Sequence, residues 1–360
     1  MHVLVTGGAG FVGANVATQL ATRHPDWEIS ALDNLRRRGS ELNLGRLKQC
    51  GVSFAHGDVR VLDDLLRFGE PDALVECSAE PSALAGWHEA PDYVVGSNLI
   101  GAYHCLELAR RCGAYVVFLS TSRVYPVKAL RGLALHESET RFELAAEQPL
   151  AGASQAGIAE SFALDGARTL YGATKLGAEL LIEEYRETYG LRAVVNRCGV
   201  IAGPWQMGKV DQGVFAYWLL AHHFGRPLRY VGFGGKGKQV RDLLHVDDLV
   251  ELLDEQLANP SEWDGAKVNV GGGRDCSLSL LETTALCREI TGHSPRIESI
   301  AETRPGDVPF YISDCSELFS HTDWRPRRTP RDVLADIHRW IVEHEAALSE
   351  AIIATAADDQ

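Results

Sequence analysis

A tyrosine and a lysine four positions apart are the residues of this chain best suited to acid–base chemistry. Tyr171 and Lys175 stand in the segment YGATK, and positions four apart on a helix share one face. A nearby ammonium group favours the phenolate over the phenol, so Lys175 can lower the pKa of Tyr171 from about 10 towards neutrality. Such a phenolate is a general base that can remove a hydroxyl proton while a hydride leaves the same carbon. Taken by itself, the spacing fits a surface pair of side chains equally well.

Three hydroxyl side chains give this pair a partner. Ser120 ends the apolar run YVVFLS, which predicts a strand, and Thr121 and Ser122 follow it. Because ligands of open α/β sheets bind at the carboxyl ends of strands, a hydroxyl at this point can share a substrate proton with Tyr171. The two segments together favour catalysis over a surface pair.

Near the start of the sequence, glycines are spaced to admit a dinucleotide. Gly7, Gly10 and Gly13 lie between a strand-like run over residues 2–6 and a helical pattern over about 12–23. The spacing allows a tight turn, brings a pyrophosphate against bare backbone and lets the helix pack close to the sheet. A glycine turn that only closes a strand–helix corner is the less favoured interpretation in this context.

Acidic residues after the next two strand-like runs fit the adenosine half of a dinucleotide. Asp33 follows the glycines by about 20 residues, where a carboxylate accepts hydrogen bonds from a ribose diol and repels a 2′-phosphate. This favours NAD, although the three arginines at 36–38 could in principle favour NADP. Asp58 either meets the adenine or caps the helix that follows it.

The elements that must position these residues alternate along the first half of the chain. The alternation of strands and helices indicates βαβ units in a doubly wound parallel sheet, the α/β architecture of Rossmann domains. After about residue 197 the rhythm becomes that of a smaller, interleaved lobe. We therefore predict an NAD-binding domain over 1–197 with returns at about 239–274, and a C-terminal substrate-binding lobe over 198–238 and 275–345.

The segment 144–160 is expected to be a long surface loop able to cover a site. The predicted strands are about 28–32, 52–55, 73–77, 115–120, 192–196 and 267–270, and the predicted helices are about 89–112, 172–189, 215–223, 246–258, 278–291 and 330–349.

The charge balance excludes some classes of partner. The 360 residues carry 35 Lys+Arg against 49 Asp+Glu, a formal net charge of −14. Without a long basic run, this argues against binding to nucleic acid or to an anionic membrane, because both need a cationic footprint. An anionic ligand would have to be held by a few arginines or by helix ends. The eight cysteines lack the spacing of a zinc site and indicate reduced thiols, so we expect no metal. Neither a membrane span nor a signal peptide is visible in the sequence, and we therefore expect a soluble cytoplasmic protein.

Three further clusters have plainer explanations than chemistry. His222 and His223 point in different directions on a helix, which disfavours a metal site. Asp247 and Asp248 begin a predicted helix and are expected to cap it and favour its dipole. The aromatic residues around Trp218 fit a core better than a surface that stacks a base.

The motifs occur in the order of a known family. TGGAGFVG, STSRVY, YGATK and RDLLHVDDL resemble those of the extended short-chain dehydrogenases/reductases, in the group of nucleotide-sugar epimerases and dehydratases, over about residues 1–345. The resemblance implies an enzyme that keeps NAD⁺ bound, with Tyr171 as base, Lys175 holding Tyr171 and the nicotinamide ribose, and Thr121 as hydroxyl partner. It also implies a nucleotide-diphosphate sugar as substrate, and a homodimer or homotetramer built through the helices at about 89–112 and 172–189.

Carried over position by position, the resemblance implies two sets of binding residues. Arg241 and Arg304 match arginines that hold the phosphates of the sugar nucleotide. Without the family, each would be interpreted as an ion pair with a neighbouring aspartate, Asp242 or Asp307. The residues expected to bind NAD are Gly7, Gly10, Phe11, Val12, Asp33, Asn34, Asp58, Val59, Ser78, Ala79, Asn98, Ser120, Tyr171 and Lys175, and those expected to bind the substrate are Glu80, Ser122, Arg123, Gln206, Arg241 and Arg304.

The residues after Thr121 bear on the reaction. In sugar-nucleotide 4,6-dehydratases an Asp-Glu pair follows this threonine, whereas here Ser122 and Arg123 follow it, and neither readily serves as the acid–base pair that elimination needs. Epimerisation needs only hydride removal, reorientation of the ketone and hydride return. The resemblance therefore favours an epimerase, while a non-catalytic NAD-binding regulator would have no need of Thr121, Tyr171 and Lys175 together.

Within the family, four segments resemble the CDP-paratose (also called CDP-tyvelose) 2-epimerases. They are ALDNLRRRG, FAHGDVR, GPWQMGKVDQG and GKGKQVRDLLH, and Gln206, Asp211, Gln212 and Gly213 fit the pattern of that branch. Departures from relatives, at Pro126 and over 197–200, are expected around the sugar pocket. A 4-epimerase, or another oxidoreductase or dehydratase acting on a UDP-, dTDP- or CDP-sugar, therefore stays open.

Overall fold

A seven-stranded parallel sheet forms the centre of the protein. The structure is a computed structural model, and it describes residues 1–87, 90–208 and 213–349. Strands of this sheet are rich in apolar and β-branched residues because helices bury both of its faces. The strands, in spatial order, are β14 (Lys267–Val270), β10 (Ala193–Cys198), β5 (Tyr115–Thr121), β4 (Ala73–Glu76), β1 (His2–Thr6), β2 (Glu28–Asp33) and β3 (Ser53–His56).

Successive residues of β1 face two separate cores. Val3 and Val5 pack with α1 (Phe11–Arg23) and α9 (Val246–Ala258) on one face, and Leu4 packs with α5 (Gly101–Cys112) and α7 (Leu170–Tyr189) on the other. The strand order reverses at β1, whose neighbours are β2 and β4. Ligands of such sheets bind in the crevice beyond the carboxyl ends of the strands at this reversal. The Rossmann α/β class predicted from the sequence is confirmed.

A smaller set of strands and helices encloses a third core. Here β13 (Val240–His245) pairs with β11 (Val200–Ala202), β15 (Ser277–Ser279) and β17 (Phe310–Tyr311). The apolar sides of three helices cover this region: α8 (Val214–His223), α11 (Leu280–Thr291) and α13 (Pro330–Glu343). The division into two domains at the predicted boundaries stays a prediction. The remaining elements are α2 (Leu44–Gln49), α3 (Leu62–Leu66), α4 (Asp92–Val95), α6 (Val127–Arg131), α10 (Pro260–Trp263), α12 (Ser316–His321), β6 (Leu135–Glu137), β7 (Phe142–Leu144), β8 (Ala153–Ser154), β9 (Gly157–Ile158), β12 (Leu228–Val231) and β16 (Ile297–Ile300).

Three elements differ from those predicted. The helix expected over 89–112 comprises α4 and α5, joined by a π-helical turn over Gly96–Ile100. The helix expected from 278 begins at Leu280, because β15 takes the preceding residues and Ser279 forms a capping box with Glu282. The segment 144–160 is not wholly a surface loop, since Ile158 in β9 is completely buried and packs into a fourth core.

Candidate active site

The glycine turn after β1 leaves no room for side chains. A Cβ at Gly7 would lie 2.9 Å from the backbone of Cys77, and one at Gly13 would lie 2.2 Å from the Gly7 carbonyl oxygen. Gly10 is the N-cap of α1 and has no side chain to cap the first N–H groups of the helix. Bare backbone and the positive end of a 13-residue helix thus lie together, an arrangement that suits a pyrophosphate.

Asp33, at the end of β2, is hydrogen-bonded to this turn. Its carboxylate accepts hydrogen bonds from the N–H groups of Ala9, at 3.1 Å, and Leu35, at 2.8 Å. Burial raises the pKa of Asp33, and the backbone N–H groups oppose that rise. Two of the three arginines weighed for NADP are engaged elsewhere: Arg36 stacks 3.9 Å from the ring centroid of Tyr93, and Arg37 donates to the Met207 carbonyl oxygen. The residues present therefore fit NAD, with the ribose at Asp33.

Asp58 belongs to a small polar cluster beside Asp33. Burial raises its pKa, but hydrogen bonds from Arg60 and Asn34 outweigh burial and lower it to about 2. The Asp58 carboxylate accepts a hydrogen bond from the Arg60 guanidinium at 2.6 Å and another from the Asn34 side-chain amide at 2.9 Å. The alternative in which Asp58 caps the next helix is wrong, because the N-cap of α3 is Val61.

The first turn of α7 brings Tyr171 to the end of β5. Thr169 caps this helix and accepts a hydrogen bond from the Gly172 N–H, at 3.3 Å. A Cβ at Gly172 would lie 2.0 Å from the Arg123 carbonyl oxygen, so the helix packs directly on the turn that follows Thr121. The Thr121 hydroxyl consequently lies close enough to the Tyr171 phenol to favour its ionised form.

The pKa of Tyr171 follows the sequence-based expectation only in part. Burial raises it, and the opposing effects of the Lys175 charge and the Thr121 hydroxyl do not compensate. Lys175 lowers the pKa of Tyr171 as expected, but the net shift is upward because desolvation penalises the phenolate more.

Lys175 contacts a residue that the sequence analysis missed. Its Nζ lies 3.0 Å from a carboxylate oxygen of Glu76, and the two side chains are 2% and 1% exposed. Glu76 is the last residue of β4. The signal that could have identified it is an acidic residue within the otherwise apolar run ALVEC.

The Ser120 hydroxyl is hydrogen-bonded to a carboxylate of α7. It donates to Glu179 at 2.5 Å, and Glu179 in turn forms a buried salt bridge with Arg197 at 2.7 Å. Arg197 therefore lies in the interior, and the expectation that it borders the sugar pocket is wrong. Val200, from the same segment, does line the cavity described below.

Asn98 holds the segment after β4 against α7. It is completely buried, accepts a hydrogen bond from the Glu80 N–H at 2.7 Å and donates to the Glu80 carbonyl oxygen and to Thr174. The expected cofactor residues Ser78 and Val59 are both 7% exposed.

A cavity of about 440 Å³ opens beside the strand ends. Three of the six expected substrate residues line it, namely Arg123, Arg241 and Arg304. Glu80, Ser122 and Gln206 do not. Gln206 is 8% exposed and donates to the Ile201 carbonyl oxygen instead, and Asp211 and Gln212 lie outside the described residues. Further lining residues, which the sequence did not identify as polar contacts, are Arg229, Gln239 and Asp307.

The arginines of this cavity are held without salt bridges to their neighbouring aspartates. Arg241 donates to the carbonyl oxygens of Val240 and Val308, both at 2.7 Å, so the alternative of an Asp242 ion pair is wrong. Burial, and then the charge of Arg123, lower the pKa of Arg241 to about 10. Closely placed, half-buried cations that bond only to backbone oxygens retain donors for an anion.

The other clusters have structural roles. His245 caps α9 by accepting from the Asp247 N–H, so the expectation that Asp247 or Asp248 caps this helix is wrong; both instead pair with Arg328. Trp218 belongs to the third core and also borders the cavity. Within 1–87, 90–208 and 213–349, no group of three or more His, Cys, Asp or Glu side chains is arranged to hold a metal ion. In the same stretch no helix combines the length and the apolar character needed to cross a lipid bilayer.

Comparison with known proteins gives a consistent result. The model of the NAD dependent epimerase/dehydratase family matches residues 3–271. CDP-paratose 2-epimerase of Salmonella typhi is 29% identical over 94% of this chain and 99% of its own length, and dTDP-glucose 4,6-dehydratase of Mycobacterium tuberculosis is 27% identical over 91% and 89%. The crystal structure of Thermus thermophilus UDP-glucose 4-epimerase in complex with NAD superposes with a TM-score of 0.74, at 26% identity over 94% of this chain and 99% of that one.

Proposed function

The chain belongs to the NAD dependent epimerase/dehydratase family, and from this premise we propose that it is a nucleotide-sugar epimerase. In this proposal the enzyme oxidises a sugar hydroxyl transiently to a ketone and then reduces that ketone. The observation that carries the proposal is the environment of Tyr171. Lys175 and the Thr121 hydroxyl both favour the ionised phenol, whereas the positions after Thr121 hold Ser122 and Arg123, which are poorly suited to eliminate water.

The chemistry of the chain's own residues follows from this arrangement. NAD⁺, when bound, accepts a hydride from the sugar carbon and returns it. Tyr171 removes the hydroxyl proton, Thr121 holds that oxygen by a hydrogen bond, and Lys175 opposes the cost of a buried phenolate. The same tyrosine returns the proton when the opposite face of the ketone is reduced.

The charges of the cavity support a nucleoside-diphosphate group in the substrate. Arg123, Arg241 and Arg304 line the same space as one carboxylate, that of Asp307. This excess of cations suits the negative charges of a sugar-linked diphosphate.

For the sugar and base, we propose a CDP-linked deoxysugar epimerised at C2. The support is the resemblance of four segments to CDP-paratose 2-epimerases, together with the similarity to the Salmonella typhi protein of that name over nearly the whole chain. A UDP- or dTDP-sugar 4-epimerase is the alternative, since relatives named for such substrates align over similar lengths.

A substrate screen tests the proposal. Purified protein would be incubated with CDP-, UDP-, dTDP- and GDP-sugars, and the products examined by NMR. We expect a new epimer from one CDP-sugar and no dehydrated product. Tyr171→Phe should reduce turnover by about 10²–10⁴-fold, because it lacks the proton-transfer group, while leaving NAD bound. A dehydrated product, or full turnover by Tyr171→Phe, contradicts the proposal.

We also propose that two copies of the chain associate through α5 and α7. Three apolar side chains on these helices and the turn before them remain exposed: Ile100 by 42%, Tyr103 by 40% and Leu180 by 55%. Large apolar side chains grouped on two adjacent helices are typical of an interface that excludes water.

A further inference from the structure

We propose that Glu76 is the counter-ion of Lys175, and that this buried carboxylate keeps the ammonium group charged so that Tyr171 is the group that gives up a proton. Glu76 is then a positioning residue, since it acts on the reaction through Lys175. The inference rests on the proposed function in one respect only, the identification of Tyr171 as the base.

The geometry isolates the two charges together. Glu76 lies in the centre of the sheet, opposite Thr6 of β1 and Phe118 of β5. The ammonium of Lys175 lies 3.0 Å from its carboxylate and 4.5 Å from the ring centroid of Phe118. Both side chains are removed from solvent, so each charge is stabilised chiefly by the other.

The other groups around this pair are neutral. Cys77, the next residue after β4, Cys105 of α5 and Cys198 of β10 face Glu76 or Lys175, and burial raises the pKa of all three thiols. The second oxygen of Glu76 and the hydroxyl of Thr6 are buried without hydrogen-bond partners among the described residues. Within the described part of the chain, Lys175 is thus the charged group that acts on Glu76.

The physical argument concerns which of two groups ionises first. Burial lowers the pKa of a lysine, in documented cases to about 5–6. For Lys175, burial acts in this direction, but Glu76 and the Tyr171 phenolate outweigh it and raise the pKa above the ordinary value. With an uncharged side chain at position 76, Lys175 would lose its proton before Tyr171, and a neutral amine cannot stabilise a phenolate.

The experiment follows the ionisation of Lys175 directly. The chain has seven lysines, so protein containing isotope-labelled lysine gives an NMR spectrum in which Lys175 is assigned by Lys175→Arg. In the unaltered protein we expect the Lys175 signal to remain that of an ammonium up to the ordinary lysine range or above. In Glu76→Gln we expect its titration to move to lower pH by about two units, a change of about a hundredfold in the acid dissociation constant.

A matched control is available on the same helix. Glu183 of α7 forms an ion pair with Lys267, but these side chains are 50% and 27% exposed. Glu183→Gln removes a carboxylate from the same helix but leaves Glu76 in place, and Glu179 still approaches the Lys267 Nζ to 3.9 Å, so this variant should leave the Lys175 signal where it lies in the unaltered protein. The comparison separates loss of the buried carboxylate beside Lys175 from loss of any carboxylate on α7.

A second readout reports on the phenol. The tyrosinate absorbance of Tyr171, obtained as the difference between each protein and its Tyr171→Phe derivative, should appear at higher pH in Glu76→Gln than in the unaltered protein. The inference is overturned if Glu76→Gln leaves the Lys175 titration unchanged, or if the tyrosinate of Tyr171 appears in that variant at an unchanged or lower pH. If that variant does not fold, a Lys175 that titrates below the ordinary lysine range in the unaltered protein overturns it equally. Neither titration needs a substrate. Failure to epimerise any sugar therefore contradicts the proposed function alone, and the titrations test the role of Glu76 independently.

Discussion

Burial has more influence on the pKa of two residues of this protein, Tyr171 and Asp242, than the groups that oppose it. Tyr171 has a lysine on the same helix face, yet its pKa is raised because desolvation of the phenolate prevails. Asp242 shows the same effect. It is completely buried next to Arg241, which bonds elsewhere, and burial raises the pKa of Asp242 to about 6 although Ser313 and backbone N–H groups oppose the shift.

Asp242 therefore predicts a specific dependence of stability on pH. In the unfolded chain its carboxyl ionises near pH 4, whereas in the folded protein it keeps its proton up to about pH 6. The free energy of unfolding should thus fall as the pH rises between these values, by roughly 3 kcal/mol at most from this group. Asp242→Asn removes that loss, so its stability relative to the unaltered protein should increase from pH 4 to pH 7.

Urea unfolding at both pH values measures this difference. Asp63→Asn, an exposed aspartate of α3, controls for the removal of one negative charge from a chain with a net charge of −14. A relative stability of Asp242→Asn that is the same at both pH values would contradict the assignment.

At the scale of elements, the site depends on how closely α7 approaches the end of β5. The approach requires glycine at position 172, because the backbone of Arg123 occupies the space of a Cβ. The strand supplies Thr121, the helix supplies Tyr171 and Lys175, and β4 supplies Glu76 from the opposite side. Their relative placement is a property of packing between elements.

Gly172→Ala tests this packing. Replacing glycine by alanine within a helix ordinarily stabilises it by about 0.5–1 kcal/mol, but here the Cβ would lie 2.0 Å from a carbonyl oxygen. We expect the first turn of α7 to shift and turnover to fall by about 10²-fold, with much less effect on NAD binding. Gly45→Ala in α2, where a Cβ meets nothing within 4 Å, is the control and should keep full turnover. Equal activity of the two variants would show that the close contact does not position Tyr171.

At the scale of the whole molecule, the net charge of −14 and the positive cavity are independent properties. Most of the acidic excess lies on the surface, while Arg123, Arg241 and Arg304 face a single interior space. Local placement of cations therefore outweighs the overall field for a bound anion, although that field should slow the approach of an anionic ligand at low ionic strength.

Association of two copies is the prediction that belongs to this scale. Leu180→Arg places a charge in the apolar group on α5 and α7, and burial of that charge in an interface is costly. Light scattering should detect a dimer or larger assembly for the unaltered protein and a monomer for Leu180→Arg. Val342→Arg on α13, where the valine is 51% exposed, should leave the assembly intact. A monomeric unaltered protein contradicts the proposed interface.

The sequence by itself determined the Rossmann class, the glycine turn and the pairing of Tyr171 with Lys175, because each depends on local periodicity or on spacing within one segment. The tertiary structure alone decided which distant residues meet. In the folded protein the Ser120 hydroxyl donates to Glu179, and Arg197 is buried in a salt bridge with the same residue. Gln206 donates to the Ile201 carbonyl oxygen, and Lys175 pairs with Glu76, 99 positions earlier in the chain. Apart from that between Gln206 and Ile201, these contacts join residues 18 to 99 positions apart in the sequence. The physical reason is that burial and partner choice are set by the packing of several elements around one point, and no pattern within a single segment specifies them.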